Sequence, residues 1–181
     1  MFTDVEKIPE NKPPGSLVGR VIAHDNDAGP NGQIDFTLSW KSLRHQRLFS
    51  INERGEITTN EVLDREENPN GIRFTVIAED KGQPVYRASA EVSVQIEDEN
   101  DCVPKFGSHQ YHFSIDEDVE PYRRETRRVG TVQASDCDTG PNADLRYYFE
   151  EPNSPFEVVY WSCRPCTAPF HVCPIKVVGR I

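Results

Sequence analysis

The chain has 181 residues, of which 30 are acidic and 20 are basic, so its formal net charge is −10. This balance argues against nucleic acid as a partner, because nucleic-acid-binding proteins present a basic face, and it is compatible with a bound cation. No apolar run approaches the roughly 18 residues that a membrane helix needs, and no signal-peptide pattern opens the chain. An extracellular interpretation therefore treats the chain as a piece of a longer protein.

Short alternating segments dominate the sequence, and helix signals are scarce. From Gln33 to Trp40 the apolar residues fall at every second position, which is typical of a half-buried β-strand. Further strands are predicted, in chain order around this one, at 17–23, 48–51, 56–59, 74–78 and 88–96. Several short strands separated by turns predict an all-β fold, an antiparallel Greek-key β-sandwich of the immunoglobulin-like type.

The chain also repeats itself. Segment His24–Asn31 (HDNDAGPN) returns 111 residues later as Ser135–Asn142 (SDCDTGPN). A second, shorter repeat pairs Ile8–Glu10 with Ile115–Glu117, 107 residues later. A period near 110 residues indicates whole domains in tandem rather than a solenoid of small units.

The predicted organisation has three parts. A complete repeat with its linker occupies residues 1–104, a partial second repeat occupies 105–159, and a Cys- and Pro-rich tail occupies 160–181. An alternating strand is expected after each copy of the repeated Asp motif, at 34–38 and at 145–149. The tail loses the repeat pattern, so no later strand is expected from it.

Acidic residues gather in short groups that up-and-down strands would bring to one end of a sandwich. The groups are Glu10, then Asp64 and Glu66, then Asp98–Asp101 (DEND), then Asp136 and Asp138. Calcium takes six to eight oxygen ligands, and a divalent ion converts the mutual repulsion of carboxylates into attraction. Because the groups contain no His, calcium or magnesium is favoured over zinc, and an all-protein cage favours calcium. The alternative is a set of solvated turns.

In order and spacing these motifs resemble the cadherin repeat. The resemblance is carried by Pro9–Asn11 (PEN), Leu63–Glu66 (LDRE), Ala78–Asp80 (AED), Asp98–Asp101, the two Asp-x-Asp-x-Gly-Pro-Asn segments and Pro104–Phe106 (PKF). It covers residues 5–156 and implies hinges that hold about three calcium ions between consecutive repeats. Because Met1–Thr3 lacks the family's adhesive Trp, the chain is more similar to the long Fat, Dachsous and protocadherin branches than to strand-swapping cadherins.

The resemblance assigns calcium ligands to the hinge between the two copies. The carboxylate ligands would be Glu10, Asp64, Glu66, Asp98, Asp101, Asp136 and Asp138. Asn100 would contribute its amide oxygen, and Glu99, Cys102 and Asn142 would contribute backbone carbonyls. Cys102 stands where the family usually has Asn, a change that a backbone ligand tolerates. The second copy lacks a counterpart of Asp80, so one outer ion is expected to bind more weakly.

Other residues resemble ligands of neighbouring hinges. Asp25, Asp27, Asn31 and Asp80 would serve a hinge with a preceding repeat. Glu117 would serve a hinge with a following repeat.

The chain has five cysteines, an odd number that leaves at least one of them unpaired within the chain. Cys102 and Cys137 both lie beside predicted ligands of the same hinge. This proximity motivates the hypothesis of a disulfide between them, with two free thiols as the alternative.

The tail holds the other three cysteines. Cys163 and Cys166 have the spacing of one half of a zinc site, but His171 and Cys173, separated by one residue, are a poor second half. An unstructured or aberrant tail with free thiols is therefore the favoured interpretation.

The function that the cadherin resemblance implies is calcium-dependent cell–cell adhesion, in which calcium stiffens the hinge. The partner would be another cadherin ectodomain on an apposed cell, homophilic or heterophilic, with no nucleic acid and no small-molecule substrate. The location would be the extracellular side of the plasma membrane, with anchoring through other parts of the protein. The alternatives are a truncated or soluble, non-adhesive calcium-binding product and a hydrolase that uses Asp64 and Glu66 as acid and base. No nucleophile motif or phosphate-binding loop supports an enzyme.

Overall fold

The computed structural model describes residues 5–115, 126–160 and 171–180. Every regular element in these ranges is a β-strand or a short 3₁₀ turn, which confirms the all-β prediction. The strands are β1 (Val5–Pro9), β2 (Leu17–Arg20), β3 (Ile34–Ser39), β4 (Phe49–Ile51), β5 (Glu56–Thr59), β6 (Ile72–Asp80), β7 (Arg87–Glu97), β8 (Lys105–Phe106), β9 (Thr126–Asp136), β10 (Phe156–Tyr160) and β11 (His171–Arg180). The chain divides into two compact units, Met1–Glu99 and Asn100–Ile181.

The first unit is a sandwich of two sheets. One sheet has the strand order β1-β7-β6-β3, and the other has the order β2-β5-β4. The pairs β3–β6, β6–β7, β2–β5 and β4–β5 are antiparallel. The strands predicted in this unit are present, except that β2 stops at Arg20 instead of continuing to Ala23.

Alternation along the strands places one face of each sheet in the core. In β6 the side chains of Ile72, Phe74 and Val76 are buried, while the residues between them are exposed or half-buried. The ring of Phe74 lies against those of Trp40 and Phe49, with centroid distances of 4.7 and 5.4 Å. Burying a large apolar side chain contributes about 1.5–3 kcal/mol, so this aromatic cluster holds the two sheets together.

The pairing of β1 with β7 is parallel, unlike the antiparallel pairs that the sequence predicts. The register runs from Val5 opposite Ser93 to Pro9 opposite Glu97. Both strands therefore run in one direction and end at the same edge of the sandwich. As a consequence, the residues that follow them, Glu10 and Asp98, leave the sheet side by side.

The second unit contains a four-stranded sheet with the order β10-β11-β9-β8. Neighbouring strands in it are antiparallel. Ala134 on β9 is buried, and its backbone N–H donates to the hydroxyl of the buried Tyr147 at 2.9 Å. Beside this contact lies an open groove of about 470 Å³, whose walls include the rings of Phe106, Phe149 and Phe156.

Two segments of the second unit differ from the sequence-based prediction. Residues 145–149 form no strand, although the equivalent 34–38 lies in β3. The backbone of β3 is held by its ladder with β6, and no ladder in the described part of the chain includes 145–149. Without cross-strand hydrogen bonds, an alternating pattern does not make a strand.

The tail also differs from the prediction, because it contains a strand where none was expected. Residues His171–Arg180 form β11, which pairs with both β9 and β10. The segment is rich in Val and Ile, which favour extended backbone. The expectation that the tail forms no strand is therefore wrong for 171–180.

Candidate metal centre

Glu10 is the central residue of the acidic pole, the end of the first unit where the predicted ligands Glu10, Asp64, Glu66, Asp98 and Glu99 lie. Its side chain is completely buried, and its backbone N–H donates to the carbonyl of Glu97 at 3.0 Å. One carboxylate oxygen accepts the backbone N–H of Arg65 at 2.8 Å, and the other accepts the backbone N–H of Glu99 at 2.8 Å. The carboxylate of Glu10 therefore bonds to both the Leu63–Glu66 segment and the residues that follow β7.

The next predicted ligands lie on these two segments. Asp64 is exposed, and its carboxylate closes a turn by accepting the backbone N–H of Glu67 at 3.0 Å. Glu66 and Asp98 are partly enclosed, with side chains 24% and 13% exposed. The predicted ligands Glu10, Asp64, Glu66, Asp98 and Glu99 therefore meet at one end of the first unit.

Arg65 supplies a positive charge within this pole, which the sequence-based interpretation missed. Its guanidinium makes ion pairs with Glu66 and with Asp98, the second at 2.5 Å, and its side chain is only 12% exposed. The signal was present in the sequence, since Arg65 stands between Asp64 and Glu66. One guanidinium therefore offsets part of the charge of these carboxylates.

Glu66 is a carboxylate of this pole whose pKa is raised by its surroundings. Desolvation raises the pKa of Glu66 to about 7, while a backbone hydrogen bond and Arg65 act in the opposite direction. The neighbouring carboxylates of Glu10 and Asp64 raise this pKa further. A cation bound among these groups would favour the ionised carboxylate.

In the second unit, the other predicted ligands surround the second copy of the Asp motif. Asp136 and Asp138 are buried, with exposures of 3% and 0%. The backbone N–H of Asp138 donates to Asp136 Oδ1 at 3.1 Å, and the backbone N–H of Cys102 donates to Asp138 Oδ1 at 3.3 Å. Asn142 lies in the 3₁₀ turn Gly140–Ala143 that follows.

The linker is bonded covalently to this motif. Cys102 and Cys137 form a disulfide, with their Cα atoms 5.7 Å apart, which confirms the disulfide hypothesis over two free thiols. Asn100 and Asp101, both exposed, directly precede the bonded cysteine. The linker from Asn100 onward lies in the second compact unit, whereas the sequence-based partition includes the linker up to residue 104 in the first repeat.

The ligands proposed for a preceding hinge lie in the first copy of the motif and at the end of β6. The backbone N–H of Asp27 donates to Asp25 Oδ1 at 2.8 Å. Asp80 Oδ1 accepts the backbone N–H groups of Gly82 and Tyr86 at 3.2 and 2.9 Å. Asp25 and Asp80 line one shallow cavity of about 160 Å³.

Asn31 lies near the loop that follows Asp80. Its Oδ1 is 3.0 Å from the position that a Cβ on Gly82 would take. Asn31 therefore comes close to the same loop whose backbone N–H groups bind Asp80.

Some predicted residues lie outside the described ranges. Glu117 is one of them, and so are Cys163 and Cys166 of the zinc hypothesis. The backbone of His171 and Cys173 belongs to β11.

The donor chemistry of both clusters fits a hard divalent cation. The side-chain donors are carboxylate and amide oxygens, and the sulfur atoms of Cys102 and Cys137 are bonded to each other. Each carboxylate oxygen has two lone pairs, so Glu10 can accept its backbone N–H groups and still ligate an ion.

No helix in the described residues is long and apolar enough to cross a membrane.

Comparison with known proteins shows which proteins the chain is similar to. A family model described as the cadherin domain matches residues 4–97. Human protocadherin-7 is 38% identical over 151 residues, covering 83% of this chain and 13% of that protein. Human cadherin EGF LAG seven-pass G-type receptor 3 is 38% identical over 147 residues, covering 80% of this chain and 4% of that protein.

A solved structure extends the likeness to the fold. The crystal structure of mouse cadherin-23 EC22-24 superposes with a TM-score of 0.69 at 26% identity, covering 99% of this chain and 52% of that one. The chain spans only a small part of the curated relatives that it matches. The domain match over more than half of the chain shows that the protein belongs to the cadherin family.

Proposed function

We propose that this chain is part of an adhesion ectodomain in which calcium ions, about three per hinge, stiffen the junction between two cadherin repeats. The observation that carries the proposal is the burial of Glu10. Both of its oxygens accept backbone N–H groups from two other ligand-bearing segments. A fully buried carboxylate that organises further carboxylates is expected at a cation site, because burying a charge without a partner is costly.

The proposed hinge ligands come from both units. The first unit would contribute Glu10, Asp64, Glu66, Asp98 and the carbonyl of Glu99. The second would contribute Asn100, Asp101, the carbonyls of Cys102 and Asn142, Asp136 and Asp138. Seven carboxylates are nearly balanced by about three divalent ions, so binding removes the repulsion that would otherwise separate the ligands.

The two units are proposed to be consecutive repeats, the first complete and the second partial, with the partition 1–104, 105–159 and a tail at 160–181. The repeated Asp motif supports this proposal by its local structure. In each copy the second Asp donates its backbone N–H to the first, at 2.8 and 3.1 Å, and a 3₁₀ turn follows. By the same argument, Asp25, Asp27, Asn31 and Asp80 would serve a hinge with a preceding repeat, and Glu117 a hinge with a following repeat.

Adhesion is the function that we infer for the whole protein. Its partner would be another cadherin ectodomain, of the same or a different kind, on an apposed cell, and the chain would lie outside the plasma membrane. A hydrolase that uses Asp64 and Glu66 is less well supported. The sequence shows no nucleophile motif or phosphate-binding loop to accompany these two carboxylates.

Thermal unfolding with millimolar calcium and with excess chelator tests the proposal. A ligand that binds only the folded state adds RT ln(1 + [L]/Kd), which is about 2.7 kcal/mol when its concentration is a hundred times Kd. We expect calcium to raise the melting temperature by several degrees, and magnesium to raise it less at the same concentration. Identical melting curves in calcium and in chelator would contradict the calcium hinge.

A further inference from the structure

We propose that the Cys102–Cys137 disulfide is a positioning device that sets the calcium affinity of the hinge. The inference rests on the proposed calcium function and adds a determinant of it. The bond joins Cys102, the residue that follows Asn100 and Asp101, to Cys137, which lies between Asp136 and Asp138. It thereby connects the ligands of the linker to the ligands of the second Asp motif.

The contacts around the bond show how it would act. The same residue that carries the disulfide, Cys102, also donates its backbone N–H to Asp138 Oδ1 at 3.3 Å. The sulfur atoms of Cys102 and Cys137 and a carboxylate oxygen of Asp136 all lie within 4.8 Å of one another. The linker is therefore held by a covalent bond and a hydrogen bond, both within the cluster of proposed ligands.

The chain contains an internal comparison for this effect, because the Asp motif occurs twice. Both copies have the same backbone turn, and both contain a glycine in the left-handed region, Gly29 at φ +66° and Gly140 at φ +54°. The residue equivalent to Cys137 in the first copy is Asn26, which cannot form a disulfide. The turn itself therefore forms without the bond, and the bond is an addition to the second copy.

Tethering should raise calcium affinity by reducing the disorder that binding must overcome. When the disulfide is intact, Asn100 and Asp101 are already confined next to Asp136 and Asp138. When it is broken, calcium has to order the linker as it binds, which weakens the apparent affinity. We expect a loss of about tenfold, which is typical of losing preorganisation of a few residues.

The proposal makes calcium binding sensitive to reduction. Two electrons and two protons convert the disulfide into two thiols, while dithiothreitol, the dithiol donor, is oxidised to its cyclic disulfide. A reducing environment would therefore weaken the hinge without altering any proposed oxygen ligand. The carbonyl of Cys102 is retained in both states.

Calcium titration calorimetry on the 181-residue chain tests the proposal. The samples are the oxidised chain, the chain after treatment with dithiothreitol, and the Cys102→Ser/Cys137→Ser double variant, each kept in the same buffer. We expect the reduced chain and the double variant to bind calcium about tenfold more weakly than the oxidised chain. The double variant is its own control, because dithiothreitol should leave its affinity unchanged if the effect comes from this bond.

A second measurement separates positioning from general stabilisation. A purely structural bond would lower the melting temperature equally in calcium and in chelator. A positioning bond also reduces the increment that calcium adds. Equal increments with and without the bond, or loss of the β-sheet circular dichroism signal when it is broken, would overturn the proposal. Absence of calcium binding by the oxidised chain would instead reject the calcium hinge itself.

Discussion

Glu10 Oε2 accepts the backbone N–H of Arg65 at 2.8 Å, although the two residues are 55 positions apart in the chain. This hydrogen bond joins the end of β1 to the segment that carries Asp64 and Glu66. It is paired with the bond from the Glu99 backbone N–H to Glu10 Oε1 at 2.8 Å. The buried carboxylate of Glu10 is therefore by itself a structural element of the acidic pole.

Replacing Glu10 should affect both stability and calcium response. In Glu10→Ala, the backbone N–H groups of Arg65 and Glu99 lose their acceptor, and each lost partner costs about 1–3 kcal/mol when buried. We expect a lower melting temperature in chelator and a smaller increase on adding calcium. Calorimetry in both conditions measures the two effects. Glu53→Ala, at an exposed carboxylate, is the control and should leave both values nearly unchanged.

Arg65 is expected to compete with calcium for the carboxylates. Replacing it by Met keeps much of the apolar stem but removes the guanidinium that pairs with Glu66 and Asp98. The calcium-free protein should become less stable, because the carboxylates then repel one another, while calcium affinity should increase. Calcium titration measures the expected increase in affinity, and melting in chelator measures the expected loss of stability.

The matched control for this substitution is Arg44→Met. Arg44 pairs with Glu67, but both side chains are about two-thirds exposed. An exposed ion pair contributes roughly 0–1 kcal/mol, so neither stability nor affinity should change appreciably. An unchanged affinity in Arg65→Met would show that its guanidinium does not compete for the ion.

Gly71 and Gly15 both favour glycine because of their backbone conformation, and Gly71 also lacks space for a side chain. Both have a left-handed backbone, with φ of +68° and +88°. A Cβ on Gly71 would lie 2.5 Å from the carbonyl oxygen of Val94, whereas a Cβ on Gly15 would meet no atom within 4 Å. Alanine at Gly15 should cost about 1–2 kcal/mol from backbone conformation alone.

Alanine at Gly71 should cost clearly more than alanine at Gly15, because the clash is with the backbone of β7 and cannot be relieved by a side-chain rotation. Urea unfolding of the two variants measures the difference in free energy of unfolding. Equal values would show that β7 shifts easily to accommodate a methyl group.

Adjacent tyrosines in the second unit offer a matched pair. The hydroxyl of Tyr147 accepts the backbone N–H of Ala134 at 2.9 Å, and both residues are buried. Tyr147→Phe removes this acceptor and should destabilise the second unit by about 1–3 kcal/mol. Tyr148→Phe changes a side chain that is 81% exposed and should stay within about 0.5 kcal/mol of the parent. Thermal unfolding followed by tyrosine absorbance tests the pair, and equal melting temperatures would contradict the role of this hydrogen bond.

The local sequence determined much of the first unit. Alternation from Gln33 to Trp40 predicted β3, and the face it predicted does lie towards the core, because a strand exposes its two faces in turn. The repeated Asp motif forms two similar turns, since its Asp residues make them through hydrogen bonds within two positions. The sequence also showed that the acidic residues occur in short groups, although whether these groups bind calcium stays a prediction.

Long-range pairing was decided only by the tertiary structure. Neither the parallel β1–β7 ladder nor the ion pair of Arg65 with Asp98 can be read from a local pattern, because the partners are distant in sequence. The alternating residues 145–149 form no strand, and His171–Arg180 does form one, because a strand exists only where another backbone satisfies its hydrogen bonds. The sequence suggested that Cys102 and Cys137 are near each other, and the folded linker brought their Cα atoms within bonding distance.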